Sequence, residues 1–72
     1  MKTSYEDFSD RQIILTIKSR LNITQGKIAS MYYVGDASIS RALSGKGRLR
    51  PAVRRAMIDL LRTQDVEIKT AA

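Results

Sequence analysis

The sequence predicts an all-α fold, a compact four-helix domain with a short extended C-terminal tail. Three observations predict it. Helix-start signals fall at Ser9, Thr24, Asp36 and Pro51. The apolar residues that follow them recur at helical spacing. Asn and Gly stand where helices have to end, at Asn22, Gly35 and Gly45.

The first helix opens on a capping box, Ser9 with Gln12, flanked by Phe8 and Ile13 at the two positions of a hydrophobic staple. Asp10 sits favourably at the positive end of the helix dipole. Ile13, Ile14, Ile17 and Leu21 define a buried face, and Leu15 lies off it, exposed or used against a partner. Asn22 ends the helix in a left-handed conformation. Thr24 caps a second helix with Ile28, Ala29 and Tyr32 turned inward. Gly35 supplies a turn residue free to take positive φ, and Asp36 starts a third helix whose inner side is Ile39, Ala42 and Leu43. Ser44-Gly45-Lys46-Gly47 is a loop by composition. Pro51 suits the first position of a fourth helix, which carries a stripe of Val53, Ala56, Met57, Leu60 and Leu61. Ile58 falls outside that stripe and is a candidate subunit contact. In the tail, residues 63–72, Val66 and Ile68 alternate with polar neighbours, which favours an edge strand or extended arm.

Seventy-two residues make a single domain, 1–72, and a chain this short buries only about 60% of its unfolded surface. Without cysteine or histidine there is no disulfide framework and no structural zinc set, so neither metal nor cofactor is expected. Small domains of this kind often gain stability by oligomerising. No apolar run approaches the roughly 20 residues of a membrane span and no signal-peptide pattern opens the chain, so a cytoplasmic location is expected. Enzymatic activity is not expected: the usual general base and the most reactive nucleophile are missing, and the few carboxylates hold terminal or capping positions. Tyr5, Tyr32 and Tyr33 suggest base stacking on single strands, but Tyr32 is better explained as core and the other two define no platform.

The net charge of +6 is unevenly placed. Residues 1–10 carry −2, residues 11–40 +3 and residues 56–72 −1. Residues 41–55 hold Arg41, Lys46, Arg48, Arg50, Arg54 and Arg55 with no acid, a segment charge of +6. Such a stripe is either a solvated face or a surface for a polyanion. Its position decides for the polyanion. Directly before it, residues 25–44 read as two short helices joined by a tight turn, the helix-turn-helix pattern, whose second helix can lie in the DNA major groove. The outward positions of that helix, Asp36, Ala37, Ser38, Ser40 and Arg41, are small or hydrogen-bonding, as a groove-reading surface requires.

These residues resemble the lambda-repressor-like DNA-binding family of phage Cro-type and repressor-type regulators, over Gln25 to Gly45 and more loosely to Leu61. The likeness rests on Gln25 at the start of the second helix, on Ile28-Ala29 three positions on, and on SISRALSG at residues 38–45, which is similar to the recognition-helix end of lac-repressor-type domains. Close approach of the two helices requires the small Ala29, and Ile39 fills the groove between them. The family places Gly where this chain has Tyr33, so Gly35 is expected to absorb the unusual backbone conformation, or the turn to be reshaped.

The resemblance implies base contacts at Asp36, Ala37, Ser38, Ser40 and Arg41. Arg41 can fork onto guanine O6 and N7 or pair with a phosphate, Ala37 can touch a thymine methyl, and Asp36 can accept from cytosine N4 or only favour the helix dipole. Gln25 resembles the family's phosphate-binding Gln. Lys27, Ser44, Lys46, Arg48 and Arg50 are the other candidate phosphate contacts, with Arg54 and Arg55 as weaker candidates. The expected function is a sequence-specific double-stranded DNA-binding transcriptional regulator, a phage or mobile-element repressor acting as a homodimer on a palindromic operator. Leu15, Ile58, Val66 and Ile68 are its candidate dimer contacts. The alternative is an adaptor or antirepressor of the same fold that binds another protein.

Overall fold

Ser9 caps the first α-helix as its sequence requires. Its hydroxyl accepts from the Gln12 N–H while the Gln12 side chain accepts from the Ser9 N–H, so both halves of the capping box are formed. The structure is a computed structural model that describes the backbone of residues 5–71 and the side chains of residues 5–65. A single 3-10 turn, Tyr5–Asp7, precedes four α-helices: α1 Asp10–Leu21, α2 Gln25–Met31, α3 Asp36–Ser44 and α4 Pro51–Ala71. There is no strand among the described residues, and no helix is long and apolar enough to cross a membrane.

Helix α1 packs on both α3 and α4, and α2 packs on α3. The core takes Ile13, Ile14 and Ile17 from α1, Ile28 and Ala29 from α2, Ile39 and Ala42 from α3, and Met57, Ile58 and Leu61 from α4. Tyr5 and Leu49, neither of which belongs to an α-helix, complete it. Leu21, Tyr32, Leu43, Val53 and Leu60 pack against this core half-buried, whereas Ala56 is exposed.

Three helix ends follow one design. Asn22 takes φ 54°, Gly45 takes φ 78° and Tyr33 takes φ 55°. The last is a correction, because Gly35 was expected to absorb the positive φ and instead caps α3 with φ −76°. The reason lies in where α2 ends. The Val34 N–H bonds to the Ala29 carbonyl at 3.0 Å and the Tyr33 N–H to the Ser30 carbonyl at 3.4 Å, the two bonds of a Schellman motif. That motif puts the left-handed residue one position after the C-cap, Tyr32, and Gly35 comes two residues too late. Asp36 accordingly sits inside the first turn of α3 rather than capping it.

Two further expectations are corrected in α4. The tail is not extended, since the helix runs on to Ala71. Propagation of a helix already nucleated by packing costs little, and two alternating apolar residues do not outweigh it. Ile58 is not a surface residue, being only 6% exposed. It lies at helical spacing between Arg54 and Arg62, and both arginines reach the N-terminal segment. Arg54 donates to the Glu6 and Phe8 carbonyls and Arg62 pairs with the Glu6 carboxylate. Helix α4 is thus covered by α1 and also strapped by residues 5–8, which widens its buried arc to include Ile58. The Tyr5 hydroxyl donates to Asp65 and Arg20 holds the same carboxylate at 2.7 Å, closing the far end of the strap. Burial raises the Tyr5 phenol above the ordinary tyrosine range, and the bond to Asp65 raises it further.

Candidate nucleic-acid interface

The start of α2 and the start of α3 lie side by side. Thr24 caps α2 through its hydroxyl, which accepts from the Lys27 N–H at 3.1 Å. The half-buried Gln25 then reaches across with Nε2 to the Asp36 carbonyl at 3.4 Å. A Cβ added to Gly26 would lie 3.9 Å from the Asp36 carboxylate, so that acid stands over the first turn of α2. Ala29, 3% exposed, lets the helices approach, and Ile39 is fully buried.

With Ile39 and Ala42 turned inward, α3 presents its other side to solvent. Asp36, Ala37, Ser38, Ser40 and Arg41 are all exposed. None of their side chains takes part in an ion pair among the described residues. The face is nearly flat, since four of the five side chains end within two heavy atoms of Cβ and only Arg41 projects far.

The loop after α3 is fastened at both ends. At its start, the Arg41 carbonyl accepts from the Lys46 N–H at 2.9 Å, the Gly47 N–H at 3.2 Å and the Ser44 hydroxyl at 3.2 Å. At its end, Leu49 is buried and its N–H donates to Asp10 Oδ2 at 2.9 Å. Arg48 between these anchors, and Lys46 and Arg50 at and just beyond them, are exposed and have no ion-pair partner among the described residues. The result is a positively charged loop held against the C-terminal end of the exposed α3 face. Ser44 and Lys27 are exposed as well, the former with its hydroxyl committed to the Arg41 carbonyl.

Arg54 belongs to a different group. Its Nη1 bonds Asp10 Oδ1 at 2.7 Å and its Nη2 bonds the Phe8 carbonyl at 2.6 Å and the Glu6 carbonyl at 2.9 Å. Its charge is spent inside the fold, and it is withdrawn from the candidate phosphate contacts. Arg55 is exposed. Asp10 therefore does more than favour a helix dipole, because it anchors the loop through Leu49 and the N-terminal strap through Arg54. A sequence signal for this existed only in part: Asp10 is an acid at a helix start, but nothing local marks residues 49 and 54 as its partners.

An open cleft of about 640 Å³ lies between the start of α1, the end of α3 and the loop. Among the described residues Asp10 is the only carboxylate lining it, and both its oxygens are engaged. Of the candidate subunit contacts, Leu15 is 42% exposed, Ile58 is buried, and the side chains of Val66 and Ile68 lie outside the described residues. Tyr33 is 97% exposed.

No family model, curated protein or solved structure matches the chain.

Proposed function

We propose that the protein is a sequence-specific double-stranded DNA-binding regulator of the lambda-repressor-like type, with residues 25–44 as its helix-turn-helix. One observation carries the reading: a flat, exposed α3 face adjoins a loop that is fastened by its backbone and carries three cations without an ion-pair partner among the described residues. Small outward side chains let a helix backbone enter the major groove closely, and Arg41 then reads a base edge, with guanine O6 and N7 its best match. Lys46, Arg48 and Arg50 grip the flanking phosphates, which position the domain and make affinity depend on salt. At the start of α2, Gln25, as the resemblance implies, and the exposed Lys27 serve the phosphates on the other side. Asp36 stands beside Gln25 and accepts from a cytosine amino group.

One such helix reads only a few base pairs, too little to select a site in a genome. The chain therefore acts as a homodimer on a palindrome with half-site centres roughly 34 Å apart, as a phage or mobile-element repressor does. Its interface excludes Ile58 and draws on Leu15. Selection of bound duplexes from a random pool tests this. An enriched palindrome supports the proposal, and a pool that stays random rejects it.

The protein-binding alternative draws on the wholly exposed Tyr33 and on Leu15. A regulator of that kind would leave the pool unselected and would lose its partner on Tyr33→Ala.

A further inference from the structure

We propose that Gly47 is a positioning residue for Arg41: by carrying no side chain, it leaves the slot in which the Arg41 stem is held. A Cβ built on Gly47 would lie 3.1 Å from Arg41 Cβ and 3.8 Å from its Cδ. The first distance is tighter than nearly all side-chain carbon contacts, so a residue larger than glycine makes the Arg41 stem or the loop give way by a few tenths of an ångström. Conformational freedom does not account for this glycine. Gly45, not Gly47, takes the left-handed backbone of the loop, and a Cβ on Gly45 would meet nothing within 4 Å.

The loop is fastened to Arg41 through the backbone too, with the Gly47 and Lys46 N–H groups both on the Arg41 carbonyl. Arg41 and the loop therefore form one unit, in which the backbone of residue 47 is the wall and the Arg41 stem lies against it. An exposed arginine samples many rotamers, and specific pairing with a base edge needs the guanidinium fork held in one plane. The wall supplies part of that order before any ligand arrives. This deepens the reading of Arg41 as a base reader and rests on it for its consequence on DNA, although the claim about the stem stands in the free protein.

The test has two arms. In the free protein, side-chain scalar couplings and NOEs give the Arg41 χ1 population. Wild type should hold one dominant rotamer with NOEs from the Arg41 stem to the Gly47 Hα protons, and Gly47→Ala should disperse or shift that population. An Arg41 population unchanged in Gly47→Ala overturns the proposal, whatever the chain binds. On DNA, Arg41→Ala first identifies the base pair that Arg41 reads. Gly47→Ala should then lose most of the roughly 5- to 150-fold discrimination a bidentate arginine supplies at that pair, with the other positions and the salt slope unchanged. Gly45→Asn perturbs the same loop without touching Arg41, tolerates the left-handed backbone and should leave that base preference intact. Equal loss of preference in Gly45→Asn and Gly47→Ala would mean general loop disturbance and would overturn the positioning role. If Arg41→Ala alters no base preference, the reading of Arg41 fails while the rotamer arm still decides the role of Gly47.

Discussion

Replacing Asp10 by Ala removes one side chain that fastens three parts of the fold. Its Oδ1 pairs with Arg54 at 2.7 Å and its Oδ2 accepts from the Leu49 N–H at 2.9 Å. The paired side chains are 16% exposed for Asp10 and 26% for Arg54, so the pair lies between the exposed and buried extremes, nearer the buried one. Exposed pairs contribute ~0.2–1 kcal/mol, and removing one partner of a buried pair costs ~3–5 kcal/mol. Arg54 keeps two carbonyl acceptors, which softens the loss to roughly 2 kcal/mol by interpolation between those limits. The orphaned Leu49 N–H adds about 1 kcal/mol. The expected cost is ~3 kcal/mol, a large part of the roughly 4–11 kcal/mol available to a domain of this size. Urea denaturation followed by helical circular dichroism measures it, and the thermal midpoint should fall by at least 10 °C, on the order of 4–8 °C per kcal/mol. Asp10→Asn, which keeps an acceptor for Leu49, should lose about half as much. If Asp10→Ala stays within about 0.5 kcal/mol of wild type, as an ordinary surface substitution does, then Asp10 does not anchor the loop.

Tyr33→Gly should stabilise the domain by roughly 0.5–1 kcal/mol, because relief of a left-handed tyrosine, ~1–2 kcal/mol, outweighs the added chain entropy; a destabilised variant would show that the ring makes contacts the fold depends on. Ile58→Ala should cost ~2–4 kcal/mol as a core truncation, measured by denaturation at two protein concentrations. A cost that vanishes at the lower concentration would return Ile58 to a subunit interface. Since the folded state favours the neutral Tyr5 phenol, its contribution to stability is complete below the ordinary tyrosine value of about 10 and is lost as pH rises through the higher folded value. Burial likewise raises Tyr32, so a melting-temperature profile for Tyr5→Phe should be flatter above pH 10 than that of wild type without becoming level.

Local signals were legible and long-range ones were not. Ser9, Asn22, Thr24 and Pro51 mark helix ends through chemistry that acts within a turn, and each stands where that chemistry puts it. The exposed face of α3 followed from the spacing of Ile39 and Ala42. What the sequence hid were the polar contacts between residues far apart in the chain, such as Tyr5 with Asp65, Arg54 with Asp10, and Glu6 with Arg62. Ile58 was misplaced for the same reason, since Arg54 and Arg62, one turn to either side of it, are tied to residues some fifty positions away in sequence. Among the candidate site residues, Arg54 could not be separated from Arg48 and Arg50 by composition. Only the fold shows which of the three is already neutralised.

The central claim is that the loop after α3 is a phosphate clamp, and salt dependence tests it most directly. The observed affinity for duplex DNA, plotted as log K against log salt concentration, should have a steep negative slope in wild type. Replacing Lys46, Arg48 and Arg50 together by Gln should make it shallower by roughly 2.7 units, about 0.9 for each phosphate contact removed, while base preference stays the same. A slope unchanged by the triple substitution would contradict the account.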